Sequence, residues 1–201
     1  MNQVSSTPPL ALSTTPDSHS LYLSSTCLDL LLIEMVALAQ RLSSELSSKS
    51  IDEDEEKDAI YTRLESLGFR VGQGVVERSD LNQSFKLTSR FARDKPRFID
   101  SLDVIKFVCK DLWIILFKKQ IDNLKTNHRG VFVLTDNSFR WFSRMSTKQG
   151  GQEAVNRAQP FLWFPCGVIR GVLSNLGVSS HVVAETTGLP TCTFQIKISN
   201  Q

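Results

Sequence analysis

The amino-acid sequence predicts an α+β fold, with helices laid on one side of a small antiparallel sheet in the order ααα-ββ-α-ββ. Three observations lead there. A helical run beginning at Leu102 passes directly into a hairpin that ends near Phe139. A later run, Pro160 to Leu176, places Leu162, Cys166, Ile169, Leu173 and Leu176 at steps of three and four. The segment Cys192 to Ser199 alternates, with Cys192, Phe194, Ile196 and Ile198 on one face and polar residues on the other, as a half-wet strand does.

Residues 1–24 are rich in Ser, Thr and Pro and bury too little apolar surface to offset chain entropy, so a disordered tail is expected ahead of one domain, 25–201. Ser25 and Thr26 can cap the first helix, about Cys27 to Leu46. That helix is apolar over more than one face. Leu28, Leu31, Met35, Leu38 and Leu42 form one stripe, and Leu30, Ile33, Val36 and Ala37 widen it. A helix wetted on one face needs a single stripe. The extra width predicts packing on the chain's own core and against something else as well.

Ser47 to Asp58 reads as a polar, acidic connection. A second helix follows from about Glu55 or Lys57 to Leu67, with Ile60, Leu64 and Leu67 inward and Gly68 as its C-cap, and a further helical turn or two, Val71 to Arg78, is expected to continue the packing. Gly72 and Gly74 would permit close helix contact or a kink. The run GFRVGQG is no phosphate loop, because no strand precedes it and no Gly-Lys-Ser/Thr follows. Ser79 to Pro96 is polar and basic. Within and beside it Arg90, Arg93, Lys95 and Arg97 could contact an acidic partner or an anionic membrane.

The third helix starts near Asp100 or Ser101, with Leu102, Ile105, Cys109, Leu112 and Leu116 as its buried stripe. Asn127-His128-Arg129-Gly130 is the hairpin turn. The strand after it, Val131 to Thr135, is apolar on both faces and should be central. Ser143 to Arg157 reads as loop. In the fourth helix Pro165 marks a first turn or a kink, and Gly177 is the C-cap. Val178 to Glu185 is a strand, broken from the last one by Gly188-Leu189-Pro190.

Composition excludes more than it selects. A net charge of +2 over 201 residues is too mild to argue for nucleic acid. No apolar run reaches the ~20 residues needed to span a bilayer. Cys27, Cys109, Cys166 and Cys192 are far apart, each in an apolar run, so they read as small hydrophobes in a reducing compartment rather than metal ligands. His19, His128 and His181 have no Cys or Ser partner arranged for nucleophilic catalysis. No cofactor and no catalytic residue is expected. Trp113, Trp141 and Trp163 read as core.

Five segments in order carry a family resemblance: GFRVGQ from Gly68, LDVIKFVCKDLW from Leu102, TNHRG from Thr126, DNSF from Asp136 and CGVIRG from Cys166. Together they resemble a small subunit of the TRAPP vesicle-tethering complex, in the subunit-six branch called thirty-three in yeast nomenclature. The likeness covers about residues 26 to 199. It implies an α/β-plait with helices on one face of a four-stranded antiparallel sheet, and heterodimerisation with the central, third-type subunit through the first two helices. Leu31, Leu32, Met35, Val36, Leu64 and Phe69 are the candidate interface residues. It further implies a scaffold role in a Rab guanine nucleotide exchange factor of ER–Golgi and Golgi traffic, in the cytoplasm and peripheral to those membranes. The central paralogue is acylated on a cysteine before its third helix; here Lys95, Pro96 and Arg97 stand there, so no acyl chain is expected. Two alternatives remain open: a sensor of small apolar ligands, like the similarly folded 4-vinyl reductase domains, and an enzyme using one cysteine.

Overall fold

A computed structural model of the chain describes residues 23–46, 52–81, 101–127, 129–145 and 151–199. The expected tail, the basic residues Arg90, Arg93, Lys95 and Arg97, and His19 and His128 lie outside the described residues.

Helix α1 spans Ser25–Leu46. Its cap is Ser24, one residue ahead of the expected pair: the Ser24 hydroxyl accepts from the Thr26 N–H at 3.3 Å. Helix α2 spans Glu53–Leu81 and does not end at Gly68. Four acidic residues, Glu53 to Glu56, occupy its first turn, where the helix dipole favours them. Helix α3 is three segments in line: α-helical Ser101–Phe107, π-helical Val108–Leu112 and α-helical Trp113–Phe117. The π turn leaves the Cys109 carbonyl to accept from the Ile121 N–H at 3.0 Å, which ties the helix to the chain entering the sheet. Lys118 closes α3 in the left-handed region, φ 62°, with its N–H on the Ile114 carbonyl.

Strands β1 (Asn123–Thr126) and β2 (Val131–Asp136) form the hairpin. The Asn127 side-chain oxygen accepts from the Arg129 and Val131 N–H groups, and Gly130 takes φ 82°, a region in which it has no Cβ to clash. The stretch expected as loop contains helix α4, Gly151–Ala158. Its sequence, GQEAVNRA, is too polar and too short to announce a helix by periodicity. A 3₁₀ turn, Gln159–Leu162, leads into α5, Trp163–Asn175. Pro165 lies in the first turn of α5, where its missing N–H costs nothing. Strands β3 (Ser180–Gly188) and β4 (Thr191–Ile198) complete the chain.

The sheet is antiparallel throughout, in the order β1-β2-β4-β3, so β2 is interior as its two apolar faces required. One row across it reads Leu124, Leu134, Phe194, Ala184. That face is covered by α3 and α5, through a continuous core including Ile105, Val108, Leu112, Trp113, Leu162, Ile169 and Leu173. His181 and Lys197 pair on the other, exposed face.

Helices α2 and α5 cross at backbone contact. A Cβ placed on Gly68 or Gly72 would fall under 3.0 Å from the Phe164 or Val168 carbonyl oxygen. One placed on Gly167 or Gly171 would meet the Glu65 or Phe69 carbonyl in the same way. Two glycine pairs at i and i+4, one per helix, make the crossing reciprocal. This is why α2 runs straight through Gly68: the residue is spent on a packing contact, and the helix does not stop there. Gly74, by contrast, has open space around it.

Candidate interaction surface

Helix α1 packs through a small second core. Val36 and Ala39 meet Ile60 and Leu64 of α2, with Met35, Phe161, Trp163 and Phe164 against them. The inward face of α1 is Leu32, Val36, Ala39 and Ser43. The stripe that stood out in the sequence faces outward instead: Leu28, Leu31, Leu38 and Leu42 are exposed and Met35 is half-buried. Both ladders have helical spacing and lie side by side on the wheel. The buried ladder contains Ala39 and Ser43, small enough for α1 to lie close on α2, and so the less greasy stripe is the one inside.

The six candidate residues therefore divide. Leu31 is 63% exposed and free to meet a partner. Met35 and Phe69 are half-buried. Leu32 at 5%, Val36 at 3% and Leu64 at 1% are core of this chain and present almost no surface to a partner. Leu28, Leu38 and Leu42 take their place on the surface. The signal that could have found them was present: two interleaved apolar ladders on one helix, of which only one can be inside.

Beside this stripe α1 and α2 bound an open groove of about 440 Å³. Met35, Leu38, Ala39, Leu42, Leu64 and Leu67 give it an apolar lining, and Thr62, Arg63, Ser66 and Arg70 supply its polar edge along α2. On the opposite flank of α1, Asp29 accepts from the Arg144 Nε at 2.9 Å and fixes the helix against the segment after β2. The lower wall of α2 is held by Glu65, whose carboxylate takes a bidentate grip from Arg170 of α5, while the guanidinium stacks 4.1 Å from the Phe69 ring centroid. Phe69 is thus committed to an internal stack.

A model of the transport protein particle (TRAPP) component family matches residues 28–199. The chain belongs to this family. Among its curated relatives, trafficking protein particle complex subunit 6b of Danio rerio is 46% identical over 166 residues, 81% of this chain and 96% of the relative. Subunit 6B of Homo sapiens is 48% identical over 151 residues, 75% of this chain and 86% of the relative. Among solved structures, a trafficking protein particle complex subunit 3 from Naegleria fowleri, covalently bound to palmitic acid, superposes with a TM-score of 0.59 at 12% identity, covering 88% of this chain and 98% of that one. At that identity the likeness shows the fold alone.

The other polar features of this TRAPP component serve its architecture. Asp136, fully buried at the end of β2, accepts from the Trp113 indole N–H at 2.9 Å, from the Lys119 ammonium at 2.7 Å and from the Ser138 N–H at 2.9 Å. Burial pushes the Lys119 ammonium down, but hydrogen bonds to Asp122 and Asp136 outweigh this and raise its pKa. The Lys119 and Asn137 hydrogen bonds lower that of Asp122. Cys109, Cys166 and Cys192 are buried as expected, and burial raises all three thiols, Cys109 to about 12. Cys27 differs: it lies on the open side of the first turn of α1 and is exposed. Trp113 is fully buried and Trp141 and Trp163 half-buried. Among the described residues, no group of three His, Cys, Asp or Glu could hold a metal ion.

Proposed function

We propose that this chain is a structural subunit of the TRAPP complex that heterodimerises with the complex's central, third-type subunit through the outer face of α1 and the adjoining flank of α2. The assembled complex acts as a vesicle tether and as a Rab guanine nucleotide exchange factor in ER–Golgi and Golgi transport. In it this chain is a scaffold, not a catalyst. It works as one domain, 25–201, in the cytoplasm, peripheral to those membranes. No described helix is long and apolar enough to cross a bilayer.

One observation carries the reading. Four exposed leucines, Leu28, Leu31, Leu38 and Leu42, line one stripe of α1, and none of the described residues covers them. Contiguous exposed apolar surface on a folded domain marks an interaction site. Stable interfaces bury ~1,600 Å² in total, a size two adjoining helices can supply. The continuous side-chain core between the sheet and α3 and α5 weighs toward a scaffold and away from the ligand-sensor alternative.

The test is co-expression with the central subunit followed by size-exclusion chromatography. A stable 1:1 complex is expected from the native chain. Leu31→Asp with Leu38→Asp should leave the fold intact and abolish the complex. Full co-elution of that double variant would sink the α1 interface.

A further inference from the structure

Charge is unevenly distributed around the groove between α1 and α2. Among the described residues its charged lining is Arg63 and Arg70, both exposed and both on α2, with no carboxylate beside them in the lining. Three described arginines have counter-ions: Arg144 has Asp29, Arg157 has Glu153 and Arg170 has Glu65. Among the described residues no ion pair involves Arg63 or Arg70. Seven residues apart on a helix, they stand ~10 Å from one another on the same face, two turns removed. Leu67 lies between them on that face.

We propose that this groove receives an amphipathic helix of the partner subunit, whose apolar stripe is bordered by acidic side chains about two turns apart that pair with Arg63 and Arg70. The proposal rests on the partner reading above and adds the chemistry of the partner. A helix is the occupant that fits. The walls are two α-helices with their backbone groups already paired internally, so they offer nothing to an extended strand, whereas the ridge of a third helix fills such a groove. Arginine at an interface edge selects carboxylates by its fork of donors, and border charges of this kind set association rate and salt dependence more than buried contact does. The two arginines would thus choose the partner and its register, while the leucines hold it.

The test uses Arg63→Glu with Arg70→Glu, and the neutral Arg63→Gln with Arg70→Gln, in the full chain. Circular dichroism checks the fold, and binding to the central TRAPP subunit is measured by interferometry between about 50 and about 500 mM NaCl. The native chain should weaken with salt. The charge reversal should lose at least about tenfold in affinity at low salt and flatten the salt dependence, with the neutral pair in between. Unchanged affinity and salt slope in the reversal, with Leu31→Asp and Leu38→Asp still abolishing the complex, would overturn this proposal and leave the interface standing. Survival of the complex in the leucine variant would instead overturn the interface itself. Loss of binding to phosphatidylserine vesicles by the reversal, with subunit binding unchanged, would show a lipid-binding role for the arginines and also overturn the proposal.

Discussion

At the residue scale, glycine chemistry separates positions that composition treats alike. Gly68 and Gly74 lie in one helix, six residues apart. Gly68 abuts the Phe164 carbonyl, whereas a Cβ on Gly74 would meet no described neighbour within 4 Å. Gly68→Ala should therefore force the α2–α5 crossing apart and cost roughly 2–3 kcal/mol. Gly74→Ala should stabilise by about 0.5–1 kcal/mol, since it removes backbone freedom from the unfolded chain and adds helix propensity. Thermal unfolding of the two variants should move the melting temperature in opposite directions. The GFRVGQ segment was legible as unusual but not as to purpose, because a glycine after an apolar helix reads equally as a stop or as a contact. Lys118 shows the reverse failure. It closes α3 at positive φ, where a glycine would have announced the helix end and a lysine does not.

At the element scale, α1 has two apolar ladders with opposite duties. Val36→Asp places an unpaired charge in the α1–α2 core and should cost about 3 kcal/mol or more, seen as a lower urea midpoint. Leu38→Asp, 47% exposed, should leave that midpoint nearly unchanged. The turn joining α3 to the sheet depends on Asp136. Asp136→Ala strands the buried Trp113 indole N–H, leaves the Lys119 ammonium with Asp122 alone, and should cost roughly 2–3 kcal/mol. Replacing Asp122, whose Lys119 bond is exposed, should cost far less. Periodicity revealed that α1 was too apolar for one face, and it located the hairpin and β4. It did not reveal α4, whose eight residues lack an apolar period, nor the π turn in α3, which changes hydrogen bonding without changing the residues on show.

At the scale of the whole molecule, buried thiols couple stability to alkaline pH. The folded pKa values of Cys109, Cys166 and Cys192 are raised, so the unfolded chain loses these protons first. Their contribution is complete below about pH 9 and falls as pH rises toward and past about 12. Lys119, also raised, acts in the same direction: its share is intact below its unfolded value and is lost as pH rises through the folded one. Asp122, lowered, acts at the other end, its share being lost as pH falls below about 4. Urea midpoints should thus plateau near neutrality and drop between about pH 9 and 11. At pH 8 a thiol reagent should label Cys27 quickly in the native chain and all four cysteines only in denaturant. Equal native rates for all four would contradict the buried cluster. The sequence by itself determined the α+β class, the element order apart from α4, the central place of β2 and the family, because these follow from local periodicity and from motifs whose order survives in the chain. Only the tertiary structure decided which ladder of α1 is core, that Leu32, Val36 and Leu64 are interior, and that Gly68 is a crossing point. Those questions concern which surfaces meet across long stretches of chain. Two apolar faces of one helix are equivalent until a neighbour such as α2 covers one of them.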